Sequence, residues 1–238
     1  MIALHHVNSH PLQFSEIRLQ LALFDLDNTL LAGDSDFQWG QFLIEEGLLE
    51  RAEHHDRNVQ FYEDYKAGKL DIYAFLEFQL KPLSRHPRVE LEALHLRYMQ
   101  SKIMPMITDK ARALVDKHRA NGDLMLVITA TNSFVTKPIA TEFGIDNLIG
   151  TDPEEKDGEF TGGVSGIPSF QQGKVTRLLD WLQQRGQSLS DFEKTWFYSD
   201  SHNDLPLMKL VSNPVAVDAD PTLLAYAEAH GWPVMSLR

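Results

Sequence analysis

The chain has 238 residues, 34 acidic against 22 basic side chains and a formal net charge of −12; 43% of it is hydrophobic and 24% charged. That balance describes an ordinary globular chain, rules out disorder as the main theme and speaks against wide contact with nucleic-acid phosphates. Cysteine is absent, which removes disulfides and thiol chemistry. No apolar run approaches the roughly 18 residues of a membrane helix, so the expectation is a cytoplasmic protein with no membrane or nucleic-acid partner.

Residues 1–18, with His5, His6 and His10, read as a loose N-terminal extension. The run LQLALF at 19–24 is a short apolar strand buried on both faces. It ends in the polar cluster Asp25-Leu26-Asp27-Asn28-Thr29. From Asp34 to residue 104 the apolar spacing becomes helical. Phe37, Phe42, Leu43, Leu48 and Leu49 mark one helix, with Gly47 near its end. Ile72, Phe75, Leu76 and Leu80 mark another behind an Asp71 N-cap, and Leu91, Leu94, Tyr98 and Met99 a third. This block reads as a helical cap domain inserted at 34–104 into a core formed by 19–33 and 105–238, with hinges near Gly33 and Pro105. The pair His54-His55 reads as cap surface.

Strand and helix then alternate. A helix over 109–119 stops at Asn121-Gly122. A second apolar strand, 124–128, runs into Thr129-Ala130-Thr131-Asn132, and a helix follows to Phe143. Asp157-Gly158 is a hairpin signal. An amphipathic helix spans 173–185. A third strand, 195–198, ends in Ser199-Asp200-Ser201-His202-Asn203-Asp204. A fourth covers 215–217, and Asp220-Pro221 opens the last helix. The expected class is α/β: a Rossmann-like parallel sheet with helices on both faces, plus the helical cap.

Three apolar strands thus end in polar clusters, and ligands of open α/β sheets bind at that end. Asp25 and Asp27, two residues apart, present neighbouring carboxylates that repel unless a cation or proton relieves them. Mg²⁺, a hard ion with oxygen ligands, suits them, and Asp200 and Asp204 extend the donor set. Thr131 and Asn132 stand where a helix begins and so form an anion pocket. Lys174 sits where a cation does nothing for its helix. A carboxylate nucleophile, a second carboxyl, Mg²⁺, a hydroxyl and a lysine suit phosphoryl transfer through an aspartyl phosphate.

DLDNTLL at 25–31 resembles the first motif of the haloacid dehalogenase superfamily. ITATN at 128–132, Lys174 and SDSHNDLPLM at 199–208 resemble its second, third and fourth motifs, in order. The helical insertion and FTGGVSG at 160–166 resemble the phosphoserine-phosphatase-like branch with its C1 cap. The resemblance implies that Asp25 attacks phosphorus, that Asp27 serves as acid and then base, and that Asp25, Asp27 and Asp200, supported by Asp204, hold Mg²⁺. It assigns Thr131, Asn132 and Lys174 to the phosphate, with Asn28 and Asn203 beside them.

In that branch a cap acid follows the first motif and a later arginine grips the substrate carboxylate. Asp34 occupies the first place here, and Glu77 aligns with the second. Asp34, Glu45, Glu46 and Glu77 together favour an amine-bearing ester, and the branch includes histidinol phosphatases. The expected substrate is a small phosphorylated metabolite, histidinol phosphate first, with its imidazole against Trp39, Phe42 or Tyr73. Phosphoserine hydrolysis, phosphotransfer and a non-enzymatic phospho-receiver stay open as alternatives, and the oligomeric state is not legible.

Overall fold

The computed structural model describes residues 19–238; the expected N-terminal extension lies outside the described residues. The first strand, β1 (Gln20–Phe24), is followed by four α-helices: α1 (Ser35–Glu45), α2 (Arg51–Lys66), α3 (Ile72–Leu80) and α4 (Arg88–Tyr98). Then come α5 (Asp109–Ala120), β2 (Leu124–Asn132), α6 (Ser133–Glu142), β3 (Asn147–Lys156), β4 (Glu159–Ser165), α7 (Gln172–Gln184), β5 (Lys194–Ser199), α8 (Leu205–Met208), β6 (Asn213–Val217), α9 (Pro221–His230) and β7 (Val234–Met235).

The strands form one sheet in the order β4-β3-β2-β1-β5-β6-β7. All pairs are parallel except β3 with β4, a hairpin turned by Asp157 and Gly158 at φ 53° and 85°. Those left-handed angles explain the Asp-Gly pair. β1 sits at the centre, paired with β2 on one side and β5 on the other. The three polar strand ends of the sequence are therefore neighbours in space.

Alternation along β1 feeds both faces. Leu21 and Leu23 pack with Val175, Leu178 and Leu182 of α7 and Leu223 of α9. Ala22 and Phe24 pack with Leu114 and Val115 of α5 and Ile139 of α6. Each buried leucine or phenylalanine contributes about 1.5–3 kcal/mol of apolar burial. The apolar residues of the helical insertion, Trp39, Leu76, Leu80, Leu91 and Tyr98, join this second cluster.

Both crossings between β1 and the insertion, and between the insertion and α5, run side by side. Leu31 bridges Ile107, and Ala32 N–H donates to the Met106 carbonyl at 2.8 Å. Across the other edge, His95 Nε2 lies 2.9 Å from the Val135 carbonyl, and Asn203 Nδ2 donates to the Tyr65 carbonyl at 3.0 Å. His54 departs from its expected surface position: it is buried and stacks on Phe78 at 4.3 Å.

Candidate active site

β1 ends against Tyr198, whose carbonyl accepts from Asp25 N–H at 2.9 Å. The chain then turns at once, with Asn28 at φ 54° and its N–H donating to the Gly33 carbonyl at 2.8 Å. An asparagine tolerates that left-handed angle. The turn places Asp25, Asp27 and Thr29 beside the ends of β2 and β5.

Thr29 Oγ1 lies 3.2 Å from Asp25 Oδ2 and 3.2 Å from Asp200 Oδ1, and it accepts from Asp200 N–H at 3.0 Å. One hydroxyl proton serves one carboxylate at a time, so these two carboxylates meet with less donation than their charges demand. Lys174 Nζ donates to Asp25 Oδ1 at 2.8 Å and to Asp204 Oδ2 at 2.7 Å. Ser199 Oγ also donates to Asp204 Oδ2, at 2.7 Å. Asp204, expected to support the metal, thus spends this oxygen on gripping Lys174. Gly173 permits the loop before α7, because a Cβ there would stand 2.0 Å from the Pro168 carbonyl oxygen.

Asp27 is pinned on three sides. Ser35 N–H donates to its Oδ1 at 2.6 Å; Thr131 Oγ1 and Thr129 Oγ1 donate to its Oδ2 at 2.8 and 3.4 Å. The N-cap of α6 is Asn132, whose Oδ1 accepts from Val135 N–H at 3.0 Å while Nδ2 reaches Asp36 at 3.4 Å. The expected phosphate role of Asn132 therefore meets a side chain already committed. Asn203 is committed too: its Oδ1 accepts from Gln171 at 2.9 Å and its Nδ2 holds the end of α2.

Burial pushes the Asp25 carboxyl up to about 7; Lys174 pulls it back, and Asp204 and Asp27 push it further up. Burial also raises Asp27, against the bonds from Ser35 and Thr131. Asp200 is raised well above the usual range by burial and then by the charges of Asp25 and Asp204. For Lys174, burial alone would lower the ammonium pKa, but the Asp204 and Asp25 carboxylates outweigh it and raise it. The site is thus acidic, dry and short of positive charge. Among the described residues no three His, Asp or Glu side chains form a ready metal cage. The acidic oxygens that converge are those of Asp25 and Asp200.

A narrow cleft opens from these residues toward the helical insertion. Asp25, Asp27, Asn28 and Thr131 line its floor; Asp34, Asp36, Phe37, Asn58, Phe61, Tyr62, Tyr65, Phe75 and Gln79 line its walls. Asp34 is where the sequence puts it. Its carboxyl caps α1 through Phe37 N–H at 2.8 Å, and burial, then the charge of Asp27, pushes it up to about 7.

Other expectations fail here. Glu77 is exposed and lines a separate groove with Arg57, Lys81 and Arg85. Glu45 pairs with Lys102 at 2.7 Å and Glu46 with Arg97 at 2.8 Å. Trp39 and Phe42 are core residues, and Tyr73 is 62% exposed; none of the three lines the cleft. Sequence reasoning missed Thr29, although it lies inside the first motif. It also missed Asp36, two residues after Asp34, and Ser199, which opens the fourth motif. Asn58 and Gln79 carried no signal, being lone amides, the first on the polar helix α2 and the second within the apolar helix α3.

The mostly parallel sheet, with an acidic centre at its strand ends, defines a Rossmann-like α/β fold whose site lies at the carboxyl ends of its central strands. Residues 22–209 match the model of the haloacid dehalogenase-like hydrolases, and the chain belongs to that family, among its phosphatases. It is 49% identical over 219 residues to a histidinol-phosphatase of Neisseria meningitidis serogroup C (strain 8013), spanning 92% of this chain and 99% of that one. It is 30% identical over 227 residues to the phosphoserine phosphatase SerB1 of Mycobacterium tuberculosis, spanning 91% and 70%. A crystal structure of a Bordetella pertussis Tohama I protein of unknown function superposes with a TM-score of 0.88 at 47% identity, over 92% of this chain and 99% of that one. A phospho-aspartyl intermediate analogue of phosphoserine phosphatase superposes at 0.65 with 21% identity, over 93% and 94%; that likeness concerns the fold alone. Among the described residues no helix is long and apolar enough to cross a membrane.

Proposed function

We propose that this chain hydrolyses histidinol phosphate. The observation that carries the reading is the lining of the cleft. Its walls hold two acids, Asp34 and Asp36, among aromatic rings, and among the described residues no arginine, lysine or histidine lines it. A substrate carboxylate, as in phosphoserine, finds no arginine, lysine or histidine on those described walls to pair with and faces two acids that burial and neighbouring charge hold above the usual carboxylate range. A substrate with an amine and a flat apolar ring is attracted and packed. The histidinol-phosphatase of Neisseria meningitidis, related over nearly its whole length, supports the same choice.

In this reading the Asp25 carboxylate attacks phosphorus while the bond to the leaving oxygen breaks. Asp27, held by Ser35 and Thr131, gives its proton to that oxygen. Asp27 then takes a proton from water as the water oxygen attacks the aspartyl phosphate, releasing inorganic phosphate and restoring Asp25. General acid–base help of this kind is worth about 10²- to 10⁴-fold. Lys174 keeps Asp25 ionised and neutralises charge on the transferring group. The donor set fits a hard divalent cation: Asp25 and Asp200, with the Asp27 carbonyl, would hold Mg²⁺. Bound there, the ion supplies the positive charge that this acidic centre lacks and polarises a phosphoryl oxygen.

Residues 34–104 act as a cap in this proposal. The cleft between them and the strand ends is narrow, with about 60 Å³ for ordered waters. The two connecting segments, bridged at Leu31 and Ile107, make a hinge on which the helices part to admit substrate and close to exclude water.

The test is a comparison of kcat/KM for histidinol phosphate, phosphoserine and phosphoethanolamine with Mg²⁺, repeated in EDTA. The expected result is a preference for histidinol phosphate over phosphoserine of at least about tenfold, equal to about 1.4 kcal/mol, with loss of turnover in EDTA. Preference for phosphoserine would overturn the assignment.

A further inference from the structure

Two amides stand in the cleft wall, Asn58 on α2 and Gln79 on α3, exposed by only 2% and 4%. Their order is fixed by a backbone group. The Phe37 carbonyl can only accept, so the Asn58 amide nitrogen faces it, at 3.5 Å. Asn58 Oδ1 then accepts from Gln79 Nε2 at 3.3 Å. That relay leaves Gln79 Oε1 as an acceptor, and among the described residues no group donates to it. An acceptor on the cleft wall that receives no donor from the chain is left for a ligand or water. Gly40 lets α2 lie close enough to hold the relay, since a Cβ there would stand 3.1 Å from Asn58 Nδ2 and 2.9 Å from His54 Nε2. The same cleft wall carries the apolar side chains of Phe61, Ile72 and Phe75.

We propose that Gln79, oriented by Asn58, is the specificity-determining residue that accepts the edge N–H of a planar nitrogen heterocycle on the substrate. The inference rests on the histidinol phosphate reading and deepens it. Aromatic walls take the faces of such a ring, and one fixed acceptor takes its edge. A substrate tail ending in a carboxylate sets oxygen against oxygen there. A tail too short to reach leaves the acceptor without a donor.

The test measures the ratio of kcat/KM for histidinol phosphate over phosphoethanolamine in Gln79→Met and Gln79→Glu. Methionine keeps the bulk and removes the acceptor, so the ratio falls by about tenfold or more. A buried, protonated glutamate keeps one donor for Asn58 and one acceptor for substrate, so its ratio stays within about threefold of the wild type. Equal loss on both substrates in Gln79→Met, or an unchanged ratio, would show a merely structural residue and overturn the proposal. The wild-type enzyme gives a second measurement that needs no variant. Of the two N-methylated imidazole isomers of histidinol phosphate, one should lose about tenfold or more in kcat/KM; equal turnover of both with the parent overturns the proposal. If instead the wild type shows no preference for histidinol phosphate at all, the substrate reading itself falls.

Discussion

Lys174→Met removes a buried ammonium and keeps the length of the side chain. Nζ lies 2.8 Å from Asp25 and 2.7 Å from Asp204, and all three side chains are almost fully buried. At an effective dielectric of about 20 each contact is worth roughly 6 kcal/mol of attraction. Desolvation of the three charges offsets much of that, and breaking such a buried pair costs about 3–5 kcal/mol net. With a urea slope of about 2–3 kcal/mol/M, the unfolding midpoint falls by roughly 1–2.5 M. The loss also reaches the nucleophile. Lys174 is the main influence holding the Asp25 carboxyl down, so in the variant Asp25 is protonated at neutral pH and turnover collapses. Urea unfolding of Lys174→Met, Asp204→Asn and the double variant separates charge from packing. Asp204→Asn removes the charge that Lys174→Met leaves unpaired, so the double variant is more stable than the sum of the singles by at least about 1 kcal/mol. A single variant within about 0.5 kcal/mol of the wild type, or strict additivity, would refute the reasoning.

Two further outcomes follow from the same geometry. Burial raises the Asp34 carboxyl from 3.8 to about 7 in the folded chain. The native state therefore binds the extra proton, and Asp34 costs stability as pH rises from about 4 through about 7. Asp34→Asn keeps the cap on Phe37, so it should be more stable than the wild type at pH 8, by up to about 4 kcal/mol, with the gain gone near pH 4; thermal unfolding across pH checks both ends. Behind the sheet, His118 pairs with Asp123 at 2.6 Å and with Tyr198 Oη at 2.8 Å, all buried. Asp123→Ala strands the imidazole N–H and should cost about 2–3 kcal/mol in urea unfolding, with kcat/KM for histidinol phosphate within about twofold of the wild type.

The acidic centre was legible because each of its parts sits at a strand end, where an apolar run gives way to carboxylates. Neighbouring strands in a parallel sheet bring such ends together whatever their separation in the chain. The cleft walls were legible only in part. Asp34 belongs to the first motif's own turn and keeps its place. Glu77 and Gln79 are two residues apart on α3, so they point about 200° apart around the helix; a reading without the true face chose the outward one. The helix α2, RAEHHDRNVQFYEDYK, was not foreseen as an element because its apolar residues form no continuous stripe. With it went Asn58 and three of the aromatic wall residues, Phe61, Tyr62 and Tyr65. The Asn132 and Asn203 amides show the converse: polar residues inside recognised motifs whose bonds go to a helix cap and to the cap–core contact.

The central claim is that Asp25 carries the phosphoryl group between the two half-reactions. Acid quenching during turnover of histidinol phosphate, followed by borohydride reduction and peptide mapping, reads this directly, because an acyl phosphate on aspartate is reduced to homoserine. The account predicts homoserine at position 25 and at no other aspartate, dependent on substrate and missing in EDTA. Homoserine at Asp27 or Asp200, or unmodified Asp25 in an enzyme that is turning over, would contradict it.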